Sequence, residues 1–83
     1  MVKHHRNEEL ATFVSARLRE LRNRSGLSQE KVLFETGVYV ERIEKKGRNI
    51  TISTLITLCN LYGVTLHRFF DPSNDHEQET RPQ

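Results

Sequence analysis

The chain has 83 residues, of which 13 are Lys or Arg and 11 are Asp or Glu, giving a net charge of +2. Its single cysteine excludes a disulfide framework and a zinc site of paired cysteines, and no apolar run reaches the ~18 residues that a membrane span needs. The first ten residues have no apolar stretch after their basic side chains, unlike a secretory signal, so we expect a small cytoplasmic protein without metal or cofactor.

Glycines divide the chain into helical segments. Gly26, Gly37, Gly47 and Gly63 each follow a stretch of helical character, and glycine is preferred just after a helix because it adopts the left-handed conformation without strain. Pro72 follows a last short segment, and no glycine or proline lies inside any segment. The sequence therefore predicts an all-α fold. Its five helices lie near residues 8–25, 29–36, 39–46, 52–62 and 66–70.

Helix starts are marked by capping residues. Asn7, followed by two acidic residues, is the predicted N-cap of the first helix. Three later helices share one pattern: an apolar residue, then a hydroxyl residue as N-cap, then an apolar residue four positions after the cap. These triplets are Leu27, Ser28 and Val32; Ile50, Thr51 and Leu55; and Val64, Thr65 and Phe69.

Composition divides the chain into three parts. Residues 1–7 are a basic N-terminal segment, residues 8–70 form the helical domain, and residues 71–83 are a polar tail. The tail contains no apolar side chain that could pack against the domain, so we expect it to be flexible.

The charge is unevenly distributed. Residues 1–26 carry six basic and three acidic residues (+3), residues 27–50 carry five and four (+1), and residues 51–83 carry two and four (−2). The near-neutral total therefore describes a polarised molecule whose N-terminal part suits a nucleic acid.

The sequence contains no recognisable catalytic set. His67 has no nucleophile partner, and there is no glycine-rich phosphate loop. His4 and His5 are expected to be solvated rather than metal ligands, and Cys59 lies on an apolar helical face and is expected in the core. We expect neither enzymatic activity nor a metal site.

The chain contains, in order, the segments LRELRNRSGLSQEKV, ETGV, RIEKKGRN and ITISTLITLCNLYGVTLHRFF. In this combination they resemble the lambda-repressor-like family of helix-turn-helix proteins (Cro/cI or XRE type), over about Leu10 to Phe70. The resemblance implies a compact five-helix DNA-binding domain in which the second and third helices form the helix-turn-helix.

The same resemblance implies which residues meet double-stranded DNA. In this family the start of the second helix contacts the phosphate backbone, which implies that role for Ser28 and Gln29. The third helix lies in the major groove with Val40 and Ile43 facing inward. Its outer residues are Tyr39, Glu41, Arg42 and Lys45. The phosphate contacts implied near the end of this helix are Lys45, Lys46, Arg48 and Asn49.

Arg42 is the best candidate for a base edge, since a guanidinium pairs bidentately with guanine. A solvated or intramolecularly paired arginine is the alternative. Tyr39 either stacks on a sugar or covers the turn. The family also pairs an Arg near the end of the first helix with a Glu in the third, which implies a structural salt bridge between Arg22 and Glu44.

The chain departs from the family in the turn. Only four residues separate Gly37 from Arg42, about three fewer than is usual, so this is a variant with a shortened turn and recognition helix. Thr36 is the nearest residue able to cap the third helix. Leu33 and Phe34 are bulkier than the family's residues and are expected to fill the space that the short turn leaves.

We expect a transcriptional regulator, a repressor, that binds operator DNA as a homodimer. The apolar residues available for its dimer surface are Leu58, Leu61, Leu66, Phe69 and Phe70. The alternative is an antitoxin-like or other protein-interaction module of the same fold, with a protein partner and weak or no specific DNA binding.

Overall fold

The computed structural model describes residues 8–46 and 50–74, apart from the side chains of Lys46 and Asn74. Within these residues the chain is helical and contains no strand, so the predicted all-α fold of five helices is confirmed. The elements are α1 (Glu8–Arg24), α2 (Gln29–Thr36), α3 (Val40–Lys46), α4 (Ile52–Tyr62), α5 (Leu66–Phe69) and one 3-10 turn (Pro72–Asn74). The predicted signals at Asn7 and Gly47 lie outside the described residues.

Local sequence signals account for the helix boundaries. The hydroxyl oxygens of Ser28, Thr51 and Thr65 each accept the backbone N–H three residues on, at 3.0–3.1 Å, which confirms them as N-caps. Gly37 and Gly63 follow α2 and α4 with φ of 79° and 78°, a region that glycine adopts without strain. Every predicted helix end lies within one residue of the observed end.

One core joins all the helices. Cys59 is buried in it, as predicted, and burial raises the pKa of its thiol. Leu58 and Phe69 have no exposed surface, so the prediction that they belong to a dimer surface is wrong. Both side chains are buried within the monomer, so a second copy cannot contact them. The buried hydrophobic residues are Leu18, Leu21, Val32, Val40, Leu55, Leu58, Cys59, Tyr62 and Phe69.

A buried arginine ties α1 to α5. Arg17 is 2% exposed, and its guanidinium donates from Nε to the Phe69 carbonyl at 2.7 Å and from Nη2 to the Arg68 carbonyl at 2.8 Å. It thereby satisfies carbonyls at the end of a four-residue helix that is too short to be stable alone. This role of Arg17 was not predicted from the sequence. The available signal was its position midway between Phe13 and Leu21 on the apolar stripe of α1.

Hydrogen-bonded structure continues past residue 70, where the sequence places the end of the domain. The N–H of Asp71 donates to the Arg68 carbonyl at 3.1 Å, and the turn Pro72–Asn74 follows directly. The first four residues of the predicted tail are therefore a structured continuation of α5, and residues 75–83 lie outside the described part of the chain.

Candidate nucleic-acid interface

α2 and α3 form a helix-turn-helix whose turn is held by its own hydrogen bonds. Thr36 Oγ1 donates to the Val32 carbonyl at 2.8 Å and accepts the Val38 N–H at 3.1 Å. The N–H of Val40 donates to the Val38 carbonyl at 3.0 Å. Thr36, the nearest residue able to cap α3, instead stabilises the turn after α2.

α3 turns one side to the core and the other to solvent. Val40 is buried and Ile43 packs half-buried against the core, which agrees with the register that the resemblance implied. The α1 residue Ser15 donates from Oγ to the Ile43 carbonyl at 2.7 Å, a contact that our sequence analysis missed. The four residues assigned to the outer side are all exposed: Tyr39, Glu41, Arg42 and Lys45.

Arg42 lies beside an aromatic ring. Its guanidinium carbon is 5.6 Å from the centre of the Tyr39 ring, within the distance of a cation–π contact. The backbone N–H of Arg42 also donates to the Tyr39 carbonyl at 3.2 Å. Both residues are therefore brought together at the start of α3.

A buried carboxylate connects the first three helices. The Glu44 side chain has no exposed surface, and the Arg22 guanidinium donates to it from Nε at 2.8 Å and from Nη2 at 3.0 Å. The Nη1 of Arg22 donates to the Leu27 carbonyl at 2.8 Å, which also holds the loop before α2. Arg19 Nε lies 3.6 Å from Glu44 Oε1. The structure thus brings Arg22 and Glu44 together as a bidentate pair.

Electrostatics at this pair favour both charges. Burial by itself raises the pKa of Glu44, but hydrogen bonds from Arg22 and Gln29 and the positive charges of Arg22 and Arg19 outweigh it, and the pKa lies below its usual 4.5. The hydrogen bond to Glu44 raises the pKa of Arg22. The Arg22–Glu44 pair therefore stays ionised at neutral pH.

Burial, together with the Glu44 charge, also raises the pKa of Tyr62 to about 12.

The two residues predicted at the start of α2 both have intramolecular roles. The Ser28 oxygen caps α2, and Gln29 donates from Nε2 to Glu44 Oε1 at 3.0 Å. Gln29 consequently links the first turn of α2 to α3. Their contact with DNA stays a prediction, now from side chains whose positions are set by the fold.

The basic residues at the end of α3 are only partly described. Lys45 is exposed, and Lys46 is the last residue of α3. The predicted phosphate contacts Arg48 and Asn49 lie outside the described residues, as does the side chain of Lys46.

Phe34 occupies a different place from the one expected. Its side chain is 81% exposed on α2, with the Lys31 ammonium 5.6 Å from its ring centre, while Leu33 is half-buried. The expectation that Phe34 fills space behind the short turn is wrong. The physical reason is that helix periodicity turns Val32 into the core and leaves the position two residues later outside.

Within the described residues, no group of three or more His, Cys, Asp or Glu side chains is placed to hold a metal ion. Among the same residues, no helix is both long and apolar enough to cross a membrane.

Comparison with known proteins identifies the family. No curated protein and no solved structure matches the chain significantly. The model of a helix-turn-helix family (HTH_3) matches residues 18–69, which are well over half of the chain and contain α2 to α5. With a helix-turn-helix present at the matched position, the chain belongs to this family of Cro/cI-like, XRE-type DNA-binding regulators.

Proposed function

We propose that this protein is a sequence-specific transcriptional repressor in the cytoplasm that binds operator DNA as a homodimer, with α3 in the major groove. The observation that carries the proposal is the buried Glu44, which locks α3 to α1 and α2 through Arg22 and Gln29. A rigidly held α3 presents its outer side chains to a groove in one orientation, which sequence discrimination requires.

Phosphate contacts would come from both ends of the helix-turn-helix. The N-terminus of α2 has a positive dipole end and, apart from the Lys31 N–H that Ser28 caps, first-turn N–H groups without intrahelical acceptors, which favour a phosphate close to Ser28 and Gln29. Lys45, with Lys46, Arg48 and Asn49 by the family pattern, would contact phosphates near the end of α3. These contacts position the protein on the duplex and leave discrimination to the base edges.

Base reading would depend mainly on Arg42. Its side chain is exposed in the first turn of α3, where a recognition helix meets base edges. A guanidinium offers two parallel N–H donors that match the acceptors of guanine in the major groove. Tyr39 and Glu41 flank it on the same exposed side.

Two substitutions test this division of roles. Arg42→Ala is expected to reduce the ratio of affinities for a selected and a scrambled duplex by about 5- to 150-fold, the value of one bidentate pair of ~1–3 kcal/mol. Lys45→Ala is expected to weaken both duplexes alike and to reduce the slope of log affinity against log salt by about 1, since one phosphate contact is lost. Fluorescence anisotropy over a salt series measures both quantities, with a duplex selected by the native chain from a random library.

Either of two results would contradict the assignment. If Lys45→Ala relaxed the preference and Arg42→Ala did not, α3 would lie in the groove in another register. If the native chain bound neither duplex at ~50 mM salt, DNA binding itself would fail and the antitoxin-like or interaction module would be favoured. The observation that favours this second function is Phe34, because an exposed aromatic ring suits a protein partner better than a phosphate backbone.

Dimer formation is supported by the length of α3 and by the surface near α5. A seven-residue helix is about 10 Å long, so one copy reaches only a few base pairs and a two-fold dimer doubles the site. Leu66 and Phe70 are exposed, and the Phe70 ring stacks on half-buried Phe13 of α1, with centroids 6.0 Å apart. We assign the dimer contact to Leu66 and Phe70 together with half-buried Leu61 of α4, and call this set of residues the α5 surface.

Charged substitutions in the α5 surface test the dimer. Phe70→Asp and Leu66→Glu are expected to give monomers, because a carboxylate in the centre of an apolar interface is costly to desolvate. Phe34→Asp is the control: Phe34 is an apolar ring on α2 that is more exposed than Phe70, at 81% against 44%, and its replacement is expected to leave the dimer intact. Sedimentation equilibrium without DNA gives the mass directly. A native chain that sediments as a monomer, or dissociation caused by Phe34→Asp alone, would refute this surface.

A further inference from the structure

We propose that Tyr39 is a positioning residue that orients Arg42 for base reading and makes no sequence-specific contact of its own. This role rests on the proposed function of α3 and adds to it how Arg42, the side chain proposed to contact the bases, is held in position. Two contacts join these residues. The Arg42 guanidinium carbon is 5.6 Å from the centre of the Tyr39 ring, and the Arg42 backbone N–H donates to the Tyr39 carbonyl at 3.2 Å.

The Tyr39 ring is attached to a backbone that is held on both sides. On its C-terminal side, the side chain of Val40 is buried in the core. On its N-terminal side, the N–H of Val38 donates to Thr36 Oγ1 at 3.1 Å, and Gly37 holds the turn at φ 79°. The backbone that carries the ring is therefore held in one position, and the ring limits the rotamers that are open to the Arg42 side chain beside it.

Arg42 needs an external support because it stands on an exposed helix surface. Both side chains are exposed, and Tyr39 retains 60% of its accessible surface. A free arginine side chain loses rotamer entropy when it pairs with a base. A cation–π contact through the face of the ring occupies no N–H donor, so it restricts the guanidinium and leaves its donors for guanine.

The position of Tyr39 in the chain places its ring beside Arg42. Tyr39 is the residue directly before α3, and Arg42 is the third residue of that helix. This spacing of three places their side chains on one side of the first helical turn. In this fold the Tyr39 ring therefore lies beside Arg42 at the N-terminal end of α3, which is the end proposed to meet the base edges.

Single and double variants of Tyr39 and Arg42 separate the positioning role from a direct contact with DNA and from a purely structural role of Tyr39 in covering the turn. Tyr39→Leu and Tyr39→Phe are compared in the native chain and in an Arg42→Ala background, using the selected and the scrambled duplex. Tyr39→Leu is expected to reduce the ratio of the two affinities by about two- to five-fold, the range of an exposed cation–π contact. Tyr39→Phe is expected to retain the native ratio, and with Arg42→Ala the Leu variant is expected to have no further effect.

A second measurement needs no DNA. In the free protein, the side-chain protons of Arg42 are expected to show an upfield ring-current shift by NMR that disappears in Tyr39→Leu and persists in Tyr39→Phe. Thermal melting of the same variants reports any loss of fold.

The outcomes distinguish this inference from the function on which it rests. A Tyr39→Phe variant that loses as much discrimination as Tyr39→Leu would point to a direct contact by the phenol O–H and overturn the positioning role. So would a Tyr39→Leu effect that persists unchanged without Arg42, or discrimination that survives Tyr39→Leu intact. If no selected sequence emerges for the native chain, the proposed function fails and this inference fails with it.

Discussion

Replacing Glu44 by alanine is expected to lower the free energy of unfolding by about 3–5 kcal/mol, whereas Glu41→Ala is expected to change it by less than about 0.5 kcal/mol. The two glutamates are three residues apart on α3, but the Glu44 side chain is fully buried and Glu41 is exposed. Loss of Glu44 leaves the guanidinium of Arg22 largely buried without its counter-charge and also removes the acceptor for Gln29.

Thermal and denaturant unfolding of the two variants measure this difference. For a domain of this size, each 1 kcal/mol corresponds to about 4–8 °C, so the melting temperature of Glu44→Ala should fall by at least ~12 °C. Equal melting temperatures for the two variants would show that the bidentate pair does not hold the helix-turn-helix against α1.

The pH dependence provides an internal control for the same prediction. Because the folded pKa of Glu44 lies below the unfolded value, its ionised form stabilises the native state at pH values above 4.5. That contribution is lost as the pH falls through the lower folded pKa. The difference in stability between the native chain and Glu44→Ala should therefore narrow on acidification, and a difference that stays constant would assign the effect to packing alone.

Replacing Arg17 by alanine is the second large expected effect, again about 3–5 kcal/mol. Two short hydrogen bonds to the carbonyls of Phe69 and Arg68 are lost in a buried site, together with the contact of the guanidinium with the Phe69 ring at 5.8 Å. Arg17→Lys should recover only part of the loss, because an ammonium cannot reproduce the fork that reaches two carbonyls at once.

Arg24→Ala is a suitable control for Arg17. Arg24 lies on the same helix as Arg17, and its partly exposed side chain forms an i,i+4 ion pair with Glu20. Its removal should therefore lower the free energy of unfolding by about 0.5 kcal/mol or less. Denaturant unfolding gives the stabilities, and amide hydrogen exchange in α5 locates the effect. If Arg17→Ala unfolded no more easily than Arg24→Ala, the link between α1 and α5 would contribute little to the fold.

Much of the secondary structure was predictable because its signals are local. Ser28, Thr51 and Thr65 bond to N–H groups three residues away, and Gly37 ends α2 through its own backbone conformation. Such interactions depend on a few neighbouring residues and so can be recognised in the sequence before any tertiary contact is known.

The candidate site was predictable only in outline. The family pattern placed Val40 inside and Arg42 outside, and it paired Arg22 with Glu44. It did not indicate that Gln29 joins this pair or that the Tyr39 ring stands beside Arg42. These contacts depend on how α2 and α3 pack against α1 and on the conformations of surface side chains, which a sequence pattern does not specify.

By itself, the sequence determined the five helices, their boundaries and the family, because caps, glycines and apolar spacing act within one or two helical turns. Only the tertiary structure decided which of the large apolar residues are buried and which are exposed: Phe69 is buried and Phe34 is exposed. It also decided that Arg17 serves the fold, through carbonyls 51 and 52 residues further along the chain. The physical reason is that burial and long-range hydrogen bonds depend on the packing of all the helices around one core, and the apolar spacing within one helix does not show how far neighbouring helices cover the residues at the edge of its apolar face.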